Sequence, residues 1–204
     1  MNEQMDSTRE DLAFLRALVS EGGQARGAVG SALLAGGLCY GLQCLAQWVL
    51  LIDGAATPLL DLAAGVLPTI IFLVVITVII RRDRHSSGHG VGTRAINAAF
   101  GGAGVAALVT SAIFGYLAVR QQSITIWLFH PMMVCVVQGT VWYIAYAIRR
   151  QAWTGIVSVG WFASALVLTA LLDTHWFVLF LSAALLGLMA LPGWVMMRAA
   201  PARA

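Results

Sequence analysis

The chain has 204 residues, of which 60% are hydrophobic and only 10% charged, with a formal net charge of +3. A soluble domain carries about 25% charged residues, and a chain this short has too little interior to keep so much apolar surface from water. An ordinary soluble domain is therefore excluded. The expected class is all-α, a polytopic membrane helical bundle of six transmembrane helices preceded by a short N-terminal amphipathic helix.

Residues 1–26 form a polar N-terminal segment with no apolar core followed by a small-residue cleavage site, so no cleaved signal peptide is expected. Ser7-Thr8-Arg9-Glu10 has capping-box spacing. Leu12, Leu15, Leu18 and Val19 recur at helical spacing, with Phe14 beside them. Gly22-Gly23 supplies a stop. This pattern predicts an amphipathic helix of about four turns. Asp6, Glu10, Asp11 and Glu21 slightly outnumber its arginines. Docking on the protein's own arginine-bearing loops is therefore favoured, with the membrane surface or a partner as the other occupants.

Six apolar runs follow, at roughly 27–52, 60–80, 95–119, 124–148, 152–172 and 175–197, making 27–197 the transmembrane domain and 198–204 a tail. Each is near the ~20 residues that a spanning helix needs, and none alternates polar with apolar as barrel strands do. The first run carries Ala32, Gly36, Gly37 and Gly41, including a GxxxG pair at Gly37–Gly41. The third carries Ala99, Ala103, Ala107, Ser111 and Gly115 at four-residue intervals. In lipid, small residues let helices approach closely where no hydrophobic drive operates. Spans one and three are thus expected to be central and closely packed. Between the second and third spans, His85 and His89 sit among Gly88, Gly90 and Gly92, which reads as a flexible loop rather than a metal site.

The fourth run holds the sharpest cluster, His130-Pro131-Met132-Met133 followed by Cys135. Soft ligands of this kind suit copper(I), and imidazole also ligates haem iron. His175, at the start of the sixth run and on the same side of the membrane, would complete a metal set of His130, Met133, Cys135 and His175. The stronger expectation is that His130 hydrogen-bonds a neighbouring helix and that the methionines are apolar filler, so no cofactor is expected. Gln43, Gln47, His130, Gln138 and Trp142 are the candidates for lining a cavity, with helix-to-helix hydrogen bonding as the favoured role of the glutamines. Cys39, Cys44 and Cys135 lie inside apolar runs, an odd set that argues against a disulfide framework.

Eleven of the twelve basic residues, all arginine, fall at alternate breaks, and only Arg120 falls opposite. Cytoplasmic loops keep the excess of basic residues. The expected location is a bacterial-type inner membrane with both termini cytoplasmic. Trp48, Trp127 and Trp176 then mark one interface, and Trp153 and Trp194 the other. The glycine-rich first and third spans, and Pro68 and Pro131 in the second and fourth, hint at a duplicated hairpin.

Apart from Asp61, which sits at a boundary, no Lys, Arg, Asp or Glu lies between the span ends, which disfavours ion-coupled transport. No phosphate loop, nucleophile turn or zinc-protease motif is present. The expected role is accessory, regulatory or interaction-based. A small transporter, channel or lipid-handling protein for neutral or hydrophobic substrates is the alternative. A haem or copper protein using His130 and His175 is the second alternative. Membrane lipids, a membrane-protein partner or a second copy are the expected partners, and nucleic acid is not.

Overall fold

The computed structural model describes residues 2–54, 57–83 and 91–199, with side chains in the first helix described from Gly27 onward. The reading of His85 and His89 lies outside the described residues. The described residues fold into α1 (Asn2–Asp53), α2 (Pro58–Asp83), α3 (Val91–Gln121), α4 (Ile124–Arg149), α5 (Ala152–Ala170), α6 (Trp176–Leu185), a π-helical turn (Leu186–Ala190) and α7 (Leu191–Arg198). Six helical stretches are long and apolar enough to cross a membrane, the sixth being the unit Trp176–Arg198.

The hydroxyl-bearing residues show how these helices tolerate polar atoms without water. Ser31, Thr69, Thr77, Thr110, Thr140, Ser164 and Thr169 each donate to the carbonyl four residues back on their own helix. A hydroxyl satisfied in this way needs no partner from a neighbouring helix. Junctions are short. Arg150 closes α4 in the left-handed region (φ 54°), its N–H donating to Tyr146 O at 2.7 Å. Only Arg150 and Gln151 separate α4 from α5, which forces the two helices to lie antiparallel as neighbours.

The bundle is two helix triplets side by side. In one, α1 is the middle member, packed between α2 and the sixth span; in the other, α4 lies between α3 and α5. The triplets meet where α5 touches α6 and the π turn, and where α3 touches α1. Large side chains fill the layer between them, with Trp142 and Trp161 at 1% and 0% exposure. Cys135, Leu168, Phe177 and Leu185 belong to the same buried cluster.

Two expectations need correction. Gly22-Gly23 does not stop the first helix, because α1 is helical without interruption from Asn2 to Asp53. Its 25 residues before Gly27 add about 37 Å of axial rise. Span one is central, but span three is not. Only 6% of the apolar window of α3 is buried, against 33% for α1. The reason lies in what faces the small stripe. Gly115 meets the Trp127 ring and Ala107 meets the His130 ring, so bulky α4 side chains occupy the space that a second helix would need. The hairpin echo is likewise not mirrored in packing, since α1 is a middle helix while its counterpart α3 is a flank.

Candidate functional site

The tightest glycine contacts among the described residues join α1 to the sixth span. A Cβ added to Gly30 would lie 2.8 Å from Gly193 O, one on Gly41 2.8 Å from the Leu186 side chain, and one on Gly37 would collide with the backbone N of Ala190. Gly193 returns the contact, since a Cβ there would lie 2.5 Å from Leu34 N. Near backbone-to-backbone contact thus runs along one face of α1 at Gly30 and Gly37, and the Leu186 side chain fills the next level at Gly41. Ser182 Oγ closes the row by donating to Gly41 O at 2.8 Å.

The π turn belongs to this seam. Pro192 has no N–H to give, and in a regular helix its ring would clash with the carbonyl of Leu188. The ladder widens just before it, with the Leu191 N–H donating five residues back to Leu186 O. The wide turn sets Ala190 against Gly37, and Gly193 follows one turn later against Gly30. Gly30, Pro192 and Gly193 were not among the residues singled out from sequence. Gly30 lies seven residues before Gly37, on the same helix face, and Pro192 interrupts an otherwise apolar run. Both signals were present.

In the second triplet the joints are made by side chains. Ser158 Oγ, on α5, donates to Gly139 O of α4 at 2.8 Å, beneath the Phe162 ring. Trp142 meets Phe100 of α3 and Trp153 of α5 edge-on, with centroids 5.4 and 5.6 Å apart. His130 is pinned between α4 and α3: its Nε2 lies 3.2 Å from Ala107 O, and its ring stacks on Trp127 at 5.1 Å. A ring nitrogen facing a carbonyl must carry the proton, so Nε2–H is the donor.

The four residues considered as metal ligands do not converge. His130 faces α3. Met133 is 43% exposed on the outside of the bundle, whereas Cys135 is 1% exposed in the core. His175 is exposed at the end of the sixth span against Trp176. Among the described residues no group of three or more His, Cys, Asp or Glu side chains is placed to hold a metal. All three cysteines are free thiols.

The cavity candidates are also dispersed. Gln43 shares the α1 face of Gly36 and Tyr40, which meets Phe72 of α2, and Gln47 is half-buried one turn further along. Gln138 and Trp142 instead lie on the α4 face that carries Cys135 into the layer between triplets. There Gln138 Oε1, Trp142 Nε1 and Trp161 Nε1 are buried without a hydrogen-bond partner among the described residues, as are Gln43 Oε1 and Trp48 Nε1 elsewhere. A pocket of about 280 Å³ lies at the junction of α5 and α6, lined by Leu171, Trp176, Leu179, Phe180 and Ala183. Its walls are apolar, and none of the cavity candidates contributes to it.

The packing candidates fall on two surfaces. Gly37 and Gly41 lie in the seam with the sixth span, while Ala103, Ala107, Ser111 and Gly115 lie along α3, Ala103 being buried and the others half-buried. On the other side of α3, Cβ atoms added to Gly101, Gly102 and Gly104 would meet nothing within 4 Å. No protein-family model, curated protein or solved structure matches this chain.

Proposed function

We propose that the chain is a multi-pass inner-membrane protein that works by lateral association, as an accessory or regulatory component of a membrane assembly. The observation that carries this reading is the filled layer between the triplets. Trp142, Trp161 and Phe177 occupy the space that a substrate path between the two halves would use. The outward surfaces are correspondingly broad and apolar, with Val74 of α2 at 59% and Leu108 of α3 at 61% exposure. In the membrane these faces are available to lipid or to other helices. The arginine distribution supports placing both termini and the α2–α3 and α4–α5 junctions in the cytoplasm.

Extraction of the protein with its surrounding lipid in polymer discs, followed by mass spectrometry, tests this reading. A stoichiometric co-isolated membrane protein, lost when α2 or α3 lipid-facing positions are changed, is the expected result. A stoichiometric small apolar molecule with no protein companion would refute it. That second outcome would favour lipid handling, the alternative supported by the apolar pocket of about 280 Å³ at Trp176 and Phe180.

A further inference from the structure

The junction of α5 with the sixth span orders its chemistry by depth. Asp173, Thr174 and His175, all exposed, form the link between the two helices. Trp176 follows, 51% exposed, with its ring centroid 6.5 Å from that of Trp48 on α1. Below it lies the apolar pocket of about 280 Å³, walled by Leu171, Trp176, Leu179, Phe180 and Ala183. Ala183 stands about 10 Å from Trp176 along the helix axis. Charged and polar groups, then tryptophan, then a wholly apolar hollow is the order in which a membrane passes from headgroup to hydrocarbon.

The walls and the length of the hollow narrow what fills it. An apolar hollow stays free of water, which needs polar partners. A neighbouring helix is about 10 Å across with its side chains, so it would lie over a hollow this short without entering it. An acyl chain is a single file of methylenes and enters. Its gain there is van der Waals contact with walls that otherwise face a gap.

The mouth adds a charge. The Thr174 N–H and Oγ1 both donate to the carbonyl of Leu171, a wall residue, at 3.1 and 2.7 Å. Asp173, inside this turn, takes the left-handed region (φ 62°), which aspartate tolerates better than most residues. Its Oδ1 accepts from Thr125 Oγ1 of α4 at 3.3 Å. Among the described residues no arginine or histidine pairs with it. A carboxylate has about four acceptor sites, so one hydroxyl leaves most of them open. Such a rim repels an anionic headgroup and takes a primary ammonium in charge-assisted hydrogen bonds.

We propose that this groove binds one phospholipid of the phosphatidylethanolamine class, its ammonium on Asp173 and one acyl chain along Leu179, Phe180 and Ala183. The inference rests on the membrane placement of the chain and not on lateral association, since a lipid here is compatible with a protein companion or with none. The test uses the full chain in bilayers of equal phosphatidylethanolamine and phosphatidylglycerol with identical acyl chains. A photoreactive amino acid replaces Leu179, on the groove, or Leu166, 74% exposed on α5 away from it. The mass of each adduct identifies the lipid captured. The ratio of phosphatidylethanolamine to phosphatidylglycerol adducts should be at least fivefold higher at Leu179 than at Leu166. Asp173→Asn, which keeps an acceptor for Thr125, should bring the two ratios within twofold. Ala183→Trp fills the groove from an exposed position and should also abolish the enrichment. Unchanged elution volume and melting temperature identify the folded variants; should Ala183→Trp lose the fold, Asp173→Asn on the exposed link decides alone. Equal ratios at Leu179 and Leu166, an enrichment that survives Asp173→Asn or a folded Ala183→Trp, or capture of protein instead of lipid at Leu179 would each overturn the proposal.

Discussion

Gly37→Ala compared with Gly101→Ala isolates the backbone seam between α1 and the sixth span. Both substitutions add one methyl group in a helix interior. Both gain the same helix propensity, about 1 kcal/mol, and both restrict the unfolded chain in the same way. They differ in what the methyl meets. At Gly37 it would lie 2.8 Å from both Cα and Cβ of Ala190, whereas at Gly101 nothing lies within 4 Å. Carbon atoms rest at about 3.5–4.0 Å, so the helices must part by about 1 Å at Gly37. The obstruction is backbone, and no side-chain rotation relieves it. Overpacking of this kind costs about 1–3 kcal/mol. Parting the helices also strains the contacts at Gly30 and Gly41 and the Ser182–Gly41 hydrogen bond. For a chain of this size about 1 kcal/mol corresponds to roughly 2–4 °C. The Gly37→Ala variant should therefore melt on the order of 5 °C below Gly101→Ala in detergent, followed by tryptophan fluorescence or by loss of the monodisperse elution peak. Equal melting temperatures, or Gly101→Ala melting first, would show that the seam is not where these helices are held.

The other predictions concern separate features. Trp161→Phe should be close to neutral, because removing an unpartnered buried N–H recovers about 1–3 kcal/mol while the smaller ring leaves a void costing about 1 kcal/mol; a drop beyond about 6 °C would mean that Nε1 has a partner. Trp161→Ala, by contrast, should cost about 3–5 kcal/mol. Ser182→Ala should cost about 1 kcal/mol by removing the hydrogen bond from the sixth span to Gly41 O, seen as a small fall in melting temperature, and an unchanged value would remove that bond from the account. Reporter fusions at Gly90 and Arg150 should read cytoplasmic and a fusion at Gln122 should read external; the reverse pattern would invert the topology.

The sequence was most legible where one physical rule dominated. Span positions followed from hydropathy alone, because the cost of exposing backbone in lipid leaves helices as the only choice for runs of this length. The importance of small residues on span one could be read for the same reason, since only small side chains permit close approach. Which helix answers them could not be read. Gly37 shows that something comes close, but the choice of Ala190 depends on the phase of the sixth span, which the π turn before Pro192 resets. Span three failed in an instructive way. Its stripe at Ala103, Ala107 and Gly115 is real, but a stripe of small residues can receive either a helix or large side chains, and α4 supplied Trp127 and His130. The expected stop at Gly22-Gly23 failed because glycine permits a helix end without compelling one. The candidate ligands His130, Met133, Cys135 and His175 do not converge, because closeness in sequence on a helix is not closeness in space. Met133 and Cys135, two residues apart, point to opposite sides.

The two triplets are held by different means, and the difference bears on how the molecule responds to change. Between α1 and the sixth span the joint is backbone against backbone at Gly30 and Gly37, where no side-chain rotation relieves the contact. In the α4 triplet the joints are rings and hydroxyls: Phe162 over Gly139, His130 on Ala107, Trp142 between Phe100 and Trp153. Side chains can change rotamer, whereas a glycine seam either fits or separates. Polar atoms without partners occur in both triplets, Gln43 Oε1 and Trp48 Nε1 on α1 among them. Trp142, Trp161 and Gln138 belong to α4 and α5 and face the layer between triplets. An unpaired donor in an apolar interior gains from any movement that brings an acceptor, and water is the commonest one. The layer between triplets thus combines adjustable side chains on one side, a rigid glycine-seamed pair on the other, and unpaired donors within it.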